Sequence, residues 1–196
     1  LHSEPPATAL LLACALPLAL TLTTSCKEPP PVLGPTPTIA SAGAPAPAAA
    51  PGAAAIDAVP PDFAAVASDG TPVQLSKLQG KPVVVYFYPR DETPGCTAEA
   101  CSFRDAWSAL KAKGVVLIGI SSDSDDSHRA FSKNHQLPFL LVSDANGAIA
   151  AQFGVPVNAG VISRQSFVIG ANGRVKKIYR TVDVTAHAAE ILADIQ

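Results

Sequence analysis

Tyr86-Phe-Tyr-Pro-Arg-Asp-Glu-Thr-Pro-Gly-Cys96-Thr-Ala-Glu-Ala-Cys101 joins three kinds of sequence in one short segment. Val83 to Tyr88, which runs into it, is an unbroken apolar, β-rich run, as expected of a buried central strand. Pro89, Pro94 and Gly95 then mark a turn. A helix-forming run begins at Thr97. Cys96 therefore stands at a helix start, where unpaired backbone N–H groups and the positive dipole end favour a thiolate. The thiolate is the reactive form, so Cys96 is the candidate nucleophile. A free cysteine is also often a small buried apolar residue. Two neighbours argue for chemistry instead. Thr93, three residues earlier, can put a hydroxyl beside the sulfur, and Cys101 is close enough in sequence to be a resolving partner.

The spacing of the cysteines carries its own prediction. Five residues of intact helix rise about 7.5 Å. That puts the Cα atoms near or beyond the roughly 7 Å limit for a disulfide. A Cys96–Cys101 bond requires the first helical turns to unwind, which suits a bond that forms and breaks rather than a structural one. The spacing is not that of the Cys-x-x-Cys redox motif.

This stretch resembles the active site of a peroxiredoxin, whose Pro-x-x-x-Thr-x-x-Cys pattern is met by Pro89, Thr93 and Cys96. The second cysteine five residues on resembles the peroxiredoxin Q subfamily, also called bacterioferritin comigratory protein. The resemblance covers about residues 62–196. It implies a thioredoxin-like fold and a peroxidatic Cys96, oxidised to a sulfenic acid by hydrogen peroxide or an organic hydroperoxide. It further implies that Cys101 resolves this acid to a disulfide, and that thioredoxin or a similar dithiol reduces it. It calls for no cofactor and no metal, and leans towards a monomer.

Such chemistry needs a thiolate, an aligned peroxide and donors to the leaving oxygen. Thr93 can hold sulfur and peroxide together, the N–H groups of Gly95 and Cys96 point into the same space, and Pro89 can shape and dry the pocket. A cation is still required. The resemblance points to Arg164, in Arg164-Gln-Ser-Phe-Val-Ile-Gly, just before a strand. Glu99 either orients that arginine or compensates the helix N-terminus, and both readings stand.

Working outward, Phe63 to Val66 and Val73 to Leu75 flank the hairpin signal Asp69-Gly70. Leu75 to Gly80 reads as a short turn. Thr97 to Lys113 reads as one helix with Phe103, Ala106, Trp107 and Leu110 on its inner face, ended by Gly114. Val115 to Ser121 is a second buried strand. Ser121 to Asp126 lacks the Gly and Glu of a calcium loop at His128 and Asn134, and reads as a polar link into a helix over 127–135 capped by Ser127. Phe139 to Val142 is a strand and Ala148 to Phe153 a short helix. Gln165 to Ile169 and Arg174 to Tyr179 form a hairpin across Asn172-Gly173. Thr185 to Ile195 closes the chain as a helix with Ala188, Ile191, Leu192 and Ile195 inward. This order gives an α/β fold, a central mixed sheet flanked by helices on both faces, in agreement with the thioredoxin-like fold that the resemblance implies.

Ahead of the domain the composition changes. Of 19 prolines, 13 fall at or before Pro61. Residues 1–26 contain an apolar run, Ala7 to Leu22, that fits a secretory signal. Its end, Leu22-Thr-Thr-Ser-Cys26-Lys-Glu, resembles a bacterial lipoprotein processing site, with Thr23 where a larger aliphatic residue usually stands. The resemblance implies lipidation at Cys26 and a domain tethered outside the cytoplasmic membrane, facing the periplasm or cell exterior of a bacterium; the alternative is a simple cleaved signal or an uncleaved anchor, with Cys26 an ordinary cysteine. Residues 27–61, rich in Pro and Ala, read as a semi-extended linker. Residues 62–196 are the domain.

A net charge of −2 and the absence of a basic cluster give no case for nucleic acid. Two other functions compete. An extracytoplasmic thiol–disulfide oxidoreductase would want Cys-x-x-Cys. A copper chaperone would pair two cysteines with a distant histidine, for which His187 is the late candidate.

Overall fold

The structure, a computed structural model, describes residues 53–195. The apolar run, Cys14, Cys26 and the front of the linker lie outside those residues. β1 (Ala64–Val66) and β2 (Pro72–Gln74) form the hairpin expected across Asp69-Gly70. Gly70 takes the left-handed φ of 89° that the turn requires. A 3-10 turn over Leu75–Leu78 leads to β3 (Val83–Phe87). Then come α1 (Pro94–Asp105), α2 (Trp107–Ala112), β4 (Val116–Ser121), α3 (Asp125–His135), β5 (Leu140–Ser143) and α4 (Ala148–Phe153). The chain closes with β6 (Val157–Asn158), β7 (Val161–Ile162), β8 (Gln165–Ile169), β9 (Val175–Tyr179) and α5 (His187–Asp194).

Five strands make the central sheet in the order β5-β4-β3-β8-β9. β3 pairs parallel with β4 and antiparallel with β8, so the sheet is mixed about its most buried strand. Alternation along β3 sorts the core into two layers. Val83, Val85 and Phe87 face Phe153 and Phe167. Val84, Tyr86 and the following Tyr88 face Cys96, Phe103, Leu110, Phe131 and Ile191. α4 and the β1–β2 hairpin contribute to the first layer, and α1, α2, α3 and α5 to the second. The reactive stretch thus lies on the helix-rich face.

The structure differs from the sequence reading at five places. The domain begins earlier than Asp62: Ala54 is core, and Asp57 and Ala58 exchange backbone hydrogen bonds with Val175 at 2.8 and 2.9 Å. Small residues there hide their burial in an Ala-rich composition. The single helix expected over 97–113 starts at Pro94 and breaks at Ala106, where ψ is −3°. Its apolar period runs straight through that break, and Trp107 ends half-buried at the edge of the second layer. Ser124, not Ser127, caps α3, its hydroxyl accepting from the Ser127 N–H at 3.3 Å. The β6–β7 hairpin, two residues a side, lies in a stretch to which the sequence assigns no element. Finally, α5 starts at His187, since Asp183 takes the N–H and hydroxyl of Thr185 in a turn.

Candidate active site

The loop that leaves β3 is anchored before it reaches Cys96. Asp91, 5% exposed, accepts from the Tyr88 hydroxyl at 2.8 Å and the Ser127 hydroxyl at 2.8 Å, and pairs with His128 Nδ1 at 2.8 Å. Its own N–H donates to Asp123 at 2.9 Å. Burial works against the Asp91 charge, but the bonds from His128 and the hydroxyls outweigh it and lower its pKa. Next to it, Glu92 adopts a left-handed φ of 58° and bonds Asn134 at 2.9 Å and His135 at 2.8 Å. Strained residues of this kind persist only where the surroundings hold them. The polar link from Ser121 to Asp126 therefore does a specific job: Asp123 and the first turn of α3 hold the loop down.

With Pro94 at its start, α1 places Cys96 inside the first turn, where N–H groups lack helical partners. Cys96 is a free thiol, 2% exposed. Glu99 lies three residues on, on the same side of the helix, and is fully buried. Arg164, from the segment just before β8, reaches both. Its Nη2 donates to Cys96 Sγ at 3.1 Å and its Nη1 donates to Glu99 Oε2 in an ion pair. Gly95 lies against the same guanidinium: a Cβ there would meet Arg164 Nη2 at 3.6 Å, an ordinary contact distance. Glu99 is thus in contact with Arg164, the contact that the orienting reading calls for.

Burial pushes the Glu99 carboxyl up, Arg164 pulls it back, and it settles at about 7. Arg164 is itself partly desolvated, but Glu99 and Cys96 more than compensate and raise its pKa. Tyr86, stacked below, is raised by burial and then by the nearby Glu99, Asp91 and Cys96 charges.

Thr93 stands at the N-cap of α1, but its hydroxyl donates to the Arg90 carbonyl at 3.0 Å instead of capping the helix. The expected contact of this hydroxyl with the sulfur is not among the hydrogen bonds of the described residues. Its lone pairs remain available as acceptors. Pro89 is half-buried at the start of the turn. Cys101, 5% exposed, shares the unbroken α1 with Cys96. It is disulfide-bonded, and because Cys96 is free the two cysteines are not joined.

Sequence reasoning singled out His187 only as a candidate copper ligand, not as a neighbour of Glu99, and it missed Ser166. His187 is fully buried, its Nε2 2.8 Å from Ser166 Oγ and 3.9 Å from Glu99 Oε1. Burial first, then the Arg164 charge, lowers its pKa to about 4, so the ring is neutral. Its signal was present: His187 falls one turn before Ile191 on the inner face of α5. Among the described residues no group of three His, Cys, Asp or Glu could hold a metal ion, and His187 meets a carboxylate rather than cysteines.

Residues 56–178 match the AhpC/TSA family. A chloroplastic peroxiredoxin Q of Sedum lineare is 48% identical over 122 residues, covering 61% of this chain and 66% of the relative. The chain spans 57% to 66% of the length of the first chloroplastic relatives it matches. A putative peroxiredoxin bcp of Coxiella burnetii is 41% identical over 139 residues, covering 67% of this chain and 92% of the relative. The solved bacterioferritin comigratory protein of Xanthomonas campestris, described for its alkyl peroxide reduction activity, superposes with a TM-score of 0.64 at 33% identity, covering 68% of this chain and 89% of that one. With more than half its length matched and a thiol, arginine and carboxylate gathered at one helix start, this chain belongs to the AhpC/TSA family, and within it to the peroxiredoxin Q or bacterioferritin comigratory protein group.

Proposed function

We propose that this chain is a thiol-dependent peroxidase that reduces hydrogen peroxide and organic hydroperoxides. The observation that carries the reading is the free Cys96 thiol at a helix start with Arg164 Nη2 3.1 Å from its sulfur. The cation and the unpartnered helical N–H groups stabilise negative charge on the sulfur and on the leaving oxygen. The Cys96 thiolate attacks one peroxide oxygen. An S–O bond forms, the O–O bond breaks, and the departing oxygen takes a proton to leave as water or an alcohol. The first turns of α1 then unwind, and a reduced Cys101 thiol displaces water from the sulfenic acid to give the Cys96–Cys101 disulfide. Thioredoxin or a similar dithiol restores both thiols. The name of the Xanthomonas relative, which speaks of alkyl peroxide reduction, supports organic hydroperoxides as substrates. Five-residue spacing, in place of Cys-x-x-Cys, speaks against a thiol–disulfide oxidoreductase.

The test is intact mass and peptide mapping of the fully reduced protein after one equivalent of hydrogen peroxide. Rapid loss of two hydrogens, mapped to Cys96–Cys101, is expected. No oxidation of Cys96 overturns the proposal.

The Leu22 to Glu28 pattern supports a lipid anchor at Cys26 that holds the domain outside the cytoplasmic membrane of a bacterium, and the family resemblance supports a monomer. A diacylglycerol mass lost in Cys26→Ala checks the anchor. An unchanged mass with a free Cys26 thiol removes it.

A further inference from the structure

Arg164 carries one positive charge and faces two groups that are negative when deprotonated, Cys96 at 3.1 Å and Glu99 in the ion pair. All three are inside the protein or at its margin. With both acids ionised the cluster holds a net charge of −1, and burial disfavours that charge. One proton on either acid brings the cluster to zero.

Glu99 Oε2 is taken by Arg164, while Oε1 is buried and has no hydrogen-bond partner among the described residues. His187 Nε2 lies 3.9 Å from Oε1 and 2.8 Å from Ser166 Oγ. If the Ser166 hydroxyl donates to Nε2, that hydroxyl is satisfied and the ring proton sits on Nδ1, 3.9 Å from Glu190 Oε2. That bond from Ser166 uses the single Nε2 lone pair, so Oε1 faces a neutral ring nitrogen that offers it no N–H, and an ionised carboxylate oxygen there would be buried without a donor. The other groups near this pair are the neutral Tyr86 hydroxyl of β3 and the Tyr179 ring of β9, whose centroid is 4.9 Å from that of His187.

We infer that Glu99, with Oε1 turned to His187, holds a proton while Cys96 is a thiolate and releases it when the sulfur is oxidised, acting as a buried proton store for the peroxidase step. The inference rests on the peroxidase reading. As the S–O bond forms and the O–O bond breaks, two electrons leave sulfur for the peroxide oxygen and the sulfur loses its negative charge. Ionised Glu99 then neutralises Arg164 alone. The released proton matches, by exchange with solvent, the one that converts departing hydroxide to water. Glu99 acts through Arg164 and is a positioning residue, since it does not touch the reacting oxygen.

The experiment uses the reduced full chain carrying Cys101→Ser, so that oxidation stops at the sulfenic acid. Hydrogen peroxide is added about one pH unit below the Glu99 value of about 7. Infrared difference spectra are recorded with and without 13C-carboxyl glutamate, and proton uptake is followed with an indicator. The expected result is loss of a protonated-carboxyl band that shifts with the label, and uptake well below one proton per peroxide. Glu99→Gln should lack the band and take up a full proton. The labelled chain without that substitution gives the same answer if the variant does not fold. Oxidation of Cys96 with no label-sensitive carboxyl band, or with full proton uptake when Glu99 is intact, overturns the inference alone. A Cys96 that peroxide does not oxidise overturns the peroxidase reading as well.

Discussion

Arg164 Nη2 lies 3.1 Å from Cys96 Sγ across 68 residues of chain, while Nη1 of the same guanidinium is held by Glu99. A planar fork can serve two acceptors at once, and a lysine ammonium cannot do so with the same geometry. Arg164→Ala should slow oxidation of Cys96 by hydrogen peroxide about a hundredfold to a thousandfold, the usual effect of losing one preorganised donor. Arg164→Lys should retain only part of the rate. Single-turnover rates at saturating reductant-free conditions check both. Equal rates for Arg164→Lys and the unmodified chain would mean that charge alone suffices.

The same cluster predicts how stability changes with pH. The folded His187 value is about 4 against an ordinary 6.5. Between those pH values the unfolded chain binds a proton that the folded chain does not, so this group makes stability rise with pH. The folded Glu99 value is about 7 against 4.5, so between these the folded chain holds the extra proton and stability falls as pH rises. The two slopes oppose each other where the windows overlap. Glu99→Gln removes one of them, and its stability relative to the parent should rise between about pH 4.5 and 7, by on the order of 3 kcal/mol. Urea unfolding across that range is the measurement. A parallel pair of curves would show that Glu99 is already ionised throughout.

The strand–turn–helix plan and Cys96 were legible because they rest on local patterns: an apolar run, two prolines and a glycine, and a helix start. The mixed sheet followed from the order of such runs. Arg164 was reached through resemblance, because the pairing of β3 with β8, which brings that segment to Cys96, is a nonlocal event. Glu99 was legible as a residue with two readings, a partner of the arginine or a charge at the helix N-terminus, and local sequence could not choose between them. Asp91, and the place of His187 beside Glu99, stayed hidden for another reason. Each looks like an ordinary polar residue until α5 or α3 packs against the helix start, and no spacing rule links positions so far apart. The break at Ala106 was hidden because the helical period continues across it.

Asp91 should matter without touching the peroxide. Removing its carboxylate in Asp91→Ala leaves the buried Tyr88 hydroxyl and His128 without their shared partner and frees the loop before Cys96. Loss of one member of a buried network of this kind destabilises by about 3 kcal/mol. The same variant should slow Cys96 oxidation, since Thr93 and the start of α1 follow directly from the anchored loop. Denaturant midpoints and single-turnover rates measured together test this. A stability loss with an unchanged rate would confine Asp91 to a structural role.

The two cysteines separate by role. Cys96→Ser should abolish peroxide consumption. Cys101→Ser should allow one round of oxidation and then stall, with the sulfenic acid trappable and no intramolecular disulfide. The unbroken α1 adds a rate to this expectation: because unwinding must precede bond formation, disulfide formation should be slower than oxidation of Cys96 and should speed up in mild urea. Stopped-flow tryptophan fluorescence, reported by Trp107 just past the end of α1, follows both phases. Normal dithiol-driven turnover in Cys101→Ser would contradict the resolving role.

Gly119 offers a test of the packing beneath the site. It sits in β4 opposite Tyr86 of β3, and a Cβ added there would lie 2.7 Å from Tyr86 Cζ and Oη and 2.8 Å from Leu141 Cδ2. Tyr86 has little room to yield, for it stacks on Tyr88 at 5.3 Å and leans on Phe103 at 5.0 Å between ring centroids. Phe103 belongs to α1, the helix that carries Cys96. Gly119→Ala should therefore destabilise the domain by about 1 to 3 kcal/mol, as overpacking of a filled core does. It should also shift α1 enough to slow Cys96 oxidation. Gly95→Ala is the contrast: its Cβ would meet Arg164 only at ordinary contact distance, so the fold should tolerate it. Urea midpoints of the two variants should diverge, with Gly119→Ala the lower. If they coincide, the Tyr86 ring has room to move that the described packing does not show, and α1 is not braced from below.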